Sequence, residues 1–193
     1  TPASTDPASG YEGKAYPAFY HDRRSVIKDS TPTDDQTFTL IYTPNTEDRY
    51  ARIGDIEGPA VDYHLFQLGT GVEWSEDDFN RAADRIYTIE RALTVRHWGR
   101  DRQMDETVLP AYEYQENWVN PVAGEKKALD RAQFAPVMDE YYRCLGWDVR
   151  TGWPTPERLN ELGLGDVHQP MIEGAVQAVE QRPAWPERPA VKL

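Results

Sequence analysis

The stretch from Ser75 to Gly99 constrains this chain more than any other, because every helix signal in it agrees. A serine able to cap the first turn is followed by Glu76, Asp77 and Asp78, whose charges suit the positive end of a helix dipole. Phe79, Ala82, Ile86, Ile89 and Leu93 then recur at spacings of three and four, Arg91 and Arg96 lie towards the far end, and Gly99 supplies a stop. The pattern predicts a long amphipathic helix whose apolar stripe other elements must cover. His97 and Trp98 at its end read as packing plus a helix-end cation, not as a ligand pair.

The rest of the chain supplies shorter helices to cover it. Pro17 opens a helical pattern carrying Phe19, Tyr20, Arg23, Val26 and Ile27. Pro59–Leu68 repeats Val61, Leu65 and Leu68 before Gly69-Thr-Gly71 stops it. Asp130 with Gln133 offers a capping box, after which Phe134, Val137, Met138, Tyr141 and Leu145 share a face, Pro136 kinks the helix or delays its start, and Gly146 caps its end. Thr155-Pro156 begins a short helix that reaches Leu162, and a last one spans 170–181 with Met171, Ala175, Ala178 and Val179 as its apolar side. Thr37–Thr43 favours a short strand, 44–58 a connecting loop, and Trp147–Pro154 a turn-rich connector. Between Gly99 and Leu129 periodicity lapses. So long an irregular connection points to a lid, a channel wall or a partner surface, with Tyr112, Tyr114 and Trp118 as candidate walls. The expected fold is mainly α, an irregular helical domain with long loops, laid out as a flexible arm (1–12), the domain (13–181) and a Pro-rich tail (182–193).

Charge narrows the partners. Twenty-one basic residues against 33 acidic ones leave a net charge of -12, which argues against nucleic acid and against an anionic membrane surface. No run approaches the roughly 18 apolar residues of a membrane span, and no signal-peptide pattern opens the chain. One cysteine makes no internal disulfide, so a reducing cytoplasm is the expected location. The start at Thr1 without methionine suggests a processed subunit or a fragment.

Chemistry-bearing motifs are sparse. There is no His-Glu-x-x-His, Cys-x-x-Cys, Gly-x-Ser-x-Gly or phosphate-binding loop. His21, His64, His97 and His168 are scattered, and Cys144 reads as packing. The pairs Asp105-Glu106 and Asp139-Glu140 read as solvated faces or helix-end charges. Residues 28–36 place Asp29, Asp34 and Asp35 on a Ser/Thr/Pro turn, where a carboxylate can hold a polar ligand or cap the next element. The residues alone leave that choice open, and alone they contain no complete active site.

Five stretches together resemble the C-terminal region of the aldehyde:ferredoxin oxidoreductase family, tungsten or molybdenum enzymes with a bis-pterin cofactor. They are Leu68–Asp78 (LGTGVEWSEDD), Asp84–Arg91 (DRIYTIER), Met104–Pro110 (MDETVLP), Glu140–Asp148 (EYYRCLGWD) and Thr155–Leu164 (TPERLNELGL). In that family an Asp-x-x-Gly-Leu-Cys motif precedes them, its Asp binding a pterin and its Cys a [4Fe-4S] cluster. The corresponding segment here looks like Asp29-Ser-Thr-Pro-Thr-Asp34. Asp29 matches the pterin-binding acid, apt because a carboxylate accepts paired N–H bonds from a pterin edge. Pro32 and Thr33 replace Gly and Leu, and Asp34 stands at the cluster cysteine, implying one oxygen ligand on the cluster or an altered or missing cluster.

The resemblance implies that this chain is a C-terminal piece, or a separate small subunit, that closes a cofactor site. The β-rich cofactor-cradling part, the three-cysteine motif and a catalytic His or Glu would come from elsewhere. The complete enzyme would oxidise an aldehyde to a carboxylic acid and pass electrons through an iron-sulfur cluster to ferredoxin or a similar carrier; related tungsten enzymes reduce aromatic thioesters, so the substrate stays open. The alternative is a non-catalytic helical interaction or assembly domain that keeps the family scaffold without cofactor.

Overall fold

The helix expected between Ser75 and Gly99 forms over Glu76–Trp98 and is the axis of the molecule. The computed structural model describes residues 10–31, 52–53, 56–108, 111–115, 119, 124 and 128–181. In chain order it contains α1 (Ala15–Ser30), a small antiparallel hairpin of β1 (Arg52–Ile53) and β2 (Ile56–Glu57), α2 (Gly58–Thr70), α3 (Glu76–Trp98), α4 (Arg102–Thr107), α5 (Arg131–Leu145), α6 (Pro156–Glu161) and α7 (His168–Gln181). Tight 3₁₀ turns lie at Ala111–Tyr114 and Gly165–Val167. The architecture is mainly α, as expected. The strand expected at 37–43, most of the 44–58 loop, the arm to residue 9 and the tail from residue 182 lie outside the described residues.

Local chemistry explains the boundaries. Ser75 Oγ accepts the Asp78 amide at 3.1 Å while the Asp78 carboxylate accepts the Ser75 amide at 3.0 Å, a reciprocal cap that contributes roughly 1 kcal/mol. Gly99 ends α3 at φ +60° and Gly146 ends α5 at φ +72°, a left-handed conformation that only glycine adopts without strain. Thr155 Oγ1 accepts the Arg158 amide at 3.1 Å, with Pro156 in the first turn of α6. Pro136 does not delay α5, which starts at Arg131. The ring lies on an exposed part of the helix, where the Ala132 carbonyl that it leaves without an amide donor is within reach of water. In the 99–129 stretch the expectation of irregular chain needs correction. Asp101 caps α4 by accepting the Met104 amide at 2.9 Å, and six residues are too few to show a period.

Three hydrophobic clusters succeed one another along α3. Phe79 and Ala83 at its start pack with Val26 and Ile27 of α1 and with Tyr63 and Phe66 of α2. Tyr87 in the middle joins a cluster of Phe19, Tyr142, Leu145 and Trp147. Ala92 and Val95 near its end meet Leu159, Leu162, Leu164, Met171 and Ala175 from α6, the following turn and α7. Ion pairs stitch the same elements: Asp84 of α3 receives both Arg23 (2.7 Å) and Arg158 (2.8 Å), and Arg24 meets Asp62 at 3.1 Å between α1 and α2.

The buried stripe of α3 follows its large apolar residues only in part: Phe79 is buried and Ile89 packs against the Leu159–Ala175 cluster, as expected. Ala83, Thr88, Arg91, Ala92 and Val95 are buried, whereas Ile86 and Leu93 remain 37% and 47% exposed. Close helix approach selects small side chains: a Cβ on Gly174 of α7 would lie 2.4 Å from Arg96 Cγ and 2.8 Å from the Arg96 carbonyl oxygen. Gly174→Val should therefore cost about 1–3 kcal/mol through overpacking, read as a lower denaturation midpoint at constant m-value. An unchanged midpoint would mean that α3 and α7 do not meet this closely. His97 and Trp98 are both exposed, Trp98 at 68%, so the packing expected of them is absent while the basic helix end is present.

Candidate functional site

Two adjoining hollows share Tyr87 and Glu90 of α3. The smaller, about 250 Å³, is bounded by α1 through Asp22, Ser25, Val26, Asp29 and Ser30. Asp29 lies in the last turn of α1, not on the Ser/Thr/Pro turn that the sequence suggested. The reason is local. Pro32 disfavours helical backbone in the residue before it, so Thr31 takes φ -120°, ψ 151° and the helix persists up to Ser30. The Asp29 carboxylate is 71% exposed, with Lys28 Nζ at 3.2 Å. Asp34 lies outside the described residues, as do Pro32 and Thr33.

Behind Asp29 the wall is a hydroxyl network. Tyr141 donates to Asp22 Oδ2, and the Tyr87 hydroxyl lies 2.8 Å from that of Tyr141 and 3.3 Å from the same carboxylate oxygen. Burial pushes the Tyr87 hydroxyl up to about 12, with the Asp22 charge adding to the effect. Burial likewise raises Tyr141 well above the ordinary phenol range. Both phenols therefore stay protonated at neutral pH and act as donors.

The larger hollow, about 420 Å³, lies between α3, α4 and α5 and is built on Asp105. This carboxylate accepts Arg91 Nη1 at 3.0 Å and Nη2 at 2.7 Å, Arg100 Nε at 2.7 Å and the Tyr142 hydroxyl at 2.6 Å. Burial disfavours its charge, yet the Arg91 guanidinium, the Tyr142 hydroxyl and Arg100 together hold the carboxyl below its usual range. Arg91 is itself 5% exposed and gives its Nε to the Gly152 carbonyl at 2.8 Å. The Asp105-Glu106 pair is thus no solvated face. Asp105 is enclosed, and Glu106 and Asp139 both bind Arg102, which ties α4 to α5. Sequence reasoning missed this knot because its members come from four separate segments. One available signal was an arginine, Arg91, in the middle of a helix that must bury one side.

Trp147 completes the wall. Its ring stacks on Tyr87 at 5.6 Å and near Tyr142 at 6.3 Å, with the Arg91 guanidinium 5.2 Å from its centroid. Of the expected channel aromatics, Tyr114 lies under Arg131 at 3.6 Å and lines neither hollow, while the Tyr112 side chain and Trp118 lie outside the described residues.

The donor set decides which part of the implied cofactor these residues suit. An exposed carboxylate beside Ser25 and Ser30 suits the N–H edge of a pterin. The acidic surroundings of Asp22 and Glu90 do not suit phosphates. A cluster is not matched by what is described: among the described residues no group of three His, Cys, Asp or Glu side chains is placed to hold a metal. The single cysteine, Cys144, packs against the Phe19–Tyr142 cluster, with its thiol raised by burial and by Glu140. No helix among the described residues is long and apolar enough to cross a membrane.

Residues 1–164 match a family model described as aldehyde ferredoxin oxidoreductase, domains 2 and 3. No solved structure matches the chain. The match ends before α7, although Met171 and Ala175 of that helix are part of the cluster that buries the end of α3.

Proposed function

Because this chain belongs to the aldehyde ferredoxin oxidoreductase family, we propose that it is the C-terminal helical domain or subunit of a tungsten- or molybdenum-pterin oxidoreductase in which Asp29 contacts the pterin. The observation that carries this reading is the position of Asp29: an exposed carboxylate at the lip of a polar hollow, in the part of the chain that the family model covers. When bound, the metal-pterin would supply the two-electron oxidation of an aldehyde with water to a carboxylic acid, its electrons leaving through an iron-sulfur cluster to ferredoxin.

This chain's own part is to bind and to orient. Asp29 accepts N–H bonds at the pterin edge, and the last turn of α1 fixes its direction. Tyr87 and Tyr141, kept protonated by burial, hold Asp22 behind it, so the wall of the hollow is rigid. The cofactor-cradling part and the cluster thiolates come from the remainder of the enzyme, with Asp34 as the residue this chain offers beside the cluster. A cytoplasmic setting suits such chemistry.

A second reading, an assembly domain without cofactor, draws on one observation. Ile86 and Leu93 leave an apolar stripe of α3 uncovered, as a docking helix would. Metal analysis of the native assembly separates the two. Tungsten or molybdenum together with iron is expected, and Asp29→Ala should lower the pterin retained per chain by roughly tenfold, the loss of one charge-assisted hydrogen bond. A native assembly free of these metals would leave the assembly reading standing.

A further inference from the structure

Tyr87, Tyr141, Tyr142 and Trp147 form one continuous run of rings along the larger hollow. Centroids are 5.6 Å apart for Tyr87 and Trp147, 6.3 Å for Tyr142 and Trp147, and 5.8 Å for Tyr141 and Tyr142. Rings at these separations are in contact. Phenol and indole are also the most readily oxidised aromatic side chains, and an electron passes between touching rings without each of them needing an open face.

The charges around the rings decide where an oxidised site rests. A phenol gives up an electron easily only when its proton leaves at the same time, which requires a hydrogen-bonded base. Tyr141 donates to Asp22 Oδ2, and the Tyr87 hydroxyl, 2.8 Å from that of Tyr141, is placed to donate to the Tyr141 oxygen. Among the described residues Asp22 pairs with no cation, so its carboxylate keeps its affinity for a proton. Tyr142 also donates to a carboxylate, that of Asp105, but Arg91 and Arg100 hold this acid in its charged form, and the Arg102 guanidinium lies 5.9 Å from the Tyr142 ring centre. Trp147 has Arg91 at 5.2 Å, a charge that opposes an indole radical cation. The gradient therefore runs from Trp147 and Tyr142 towards Tyr141, and Glu90 adds negative charge on the side of Tyr87.

We propose that these rings form a one-electron relay in which an oxidising equivalent settles on Tyr141 while Asp22 takes its proton. A strong one-electron oxidant such as the carbonate radical takes an electron from a ring of the wall and leaves as carbonate. Tyr141 refills that ring: its O–H bond breaks, the proton passes to Asp22 Oδ2, and the Tyr141 oxygen is left as a neutral phenoxyl radical. One electron from a small reductant of the ascorbate class, with the proton returned by Asp22, restores the phenol. The relay does not depend on the tungsten or molybdenum reading, because its rings and its base all belong to this chain.

Flash photolysis of the full chain with ruthenium(II) tris-bipyridine and persulfate supplies a one-electron oxidant, and electron paramagnetic resonance reads the product. The parent should give a tyrosyl signal that outlasts those of exposed tyrosines and shows coupling to exchangeable protons. Tyr141→Phe should abolish this persistent signal, whereas Tyr142→Phe, an equally conservative change in the neighbouring ring, should leave it in place. Asp22→Asn keeps a hydrogen-bond acceptor but removes the base, and should slow formation of the signal by roughly a hundredfold. The proposal is overturned if the parent gives no persistent signal, if Tyr141→Phe retains it, if Tyr142→Phe abolishes it, or if Asp22→Asn forms it at the parental rate.

Discussion

Asp105→Ala is expected to lower the free energy of unfolding by about 3–5 kcal/mol, although the residue lies in a stretch whose sequence reads as irregular loop. Asp105 is 10% exposed and is the acceptor for Arg91, Arg100 and the Tyr142 hydroxyl. Without it, Arg91 is left 5% exposed with its charge uncompensated and, among the described residues, only the Gly152 carbonyl as an acceptor, on its Nε, and Tyr142, 1% exposed, loses the oxygen its hydroxyl needs. Most of the loss is the cost of a stranded charge and not the worth of the pair. An Arg91→Met, Asp105→Leu double variant should accordingly recover a large part of it. Denaturant midpoints at constant m-value give the comparison. A loss below about 1 kcal/mol for Asp105→Ala would mean that water reaches Arg91 freely and that the knot is not closed.

The same carboxylate sets an acid limit. Its folded-state pKa is depressed by Arg91, Tyr142 and Arg100 against the opposing effect of burial. Asp105 therefore contributes stability that is fully present above the ordinary carboxylate range, about pH 4, and that fades as pH falls through the lower folded value. The parent should lose stability more steeply below about pH 4 than Asp105→Ala does, so the gap between them narrows with acid.

These expectations rest on contacts between distant segments, which is also where the sequence was hardest to read. Helix ends were legible because they are local: Ser75 with Asp78, Gly99, Gly146 and the Thr155-Pro156 start all act within one turn. The face that α3 buries was legible only in part, because side-chain size there answers to the helices it meets. Close crossing favours Ala83 and Ala92 over the more hydrophobic Ile86 and Leu93, and Arg91 can be buried only because Asp105 and the Gly152 carbonyl stand opposite. Asp29 was singled out by resemblance and does line a hollow, but α1 runs to Ser30, three residues into the 28–36 stretch that reads as a turn, because Pro32 bars helical backbone only at the residue before it, Thr31. Trp147 offered no signal as a site residue; its Gly-Trp-Asp setting reads as a turn, and only stacking against Tyr87 and Tyr142 brings it to the hollow.

Gly152→Ala separates backbone strain from lost space in the same knot, and its effect should be nearly as large as that of Asp105→Ala. Gly152 has φ +68°, where a residue with a Cβ costs about 1–2 kcal/mol. Its Cβ would also stand 2.7 Å from Arg91 Nη2, 2.9 Å from Tyr142 Cζ and 3.0 Å from the Tyr142 hydroxyl oxygen. Neither neighbour can yield cheaply, since Arg91 and Tyr142 are both bound to Asp105, so overpacking adds about 1–3 kcal/mol. Gly71 is the control: it has φ +70° and nothing within 4 Å of an added Cβ, so Gly71→Ala should show the strain alone. The excess of Gly152→Ala over Gly71→Ala then measures how tightly the arginine and the tyrosine are held. It should shrink when Tyr142→Phe removes the hydroxyl from Asp105 and lets the ring move. Equal losses for the two glycines would show instead that Arg91 and Tyr142 give way without resistance, and that the wall they share with the larger hollow is soft.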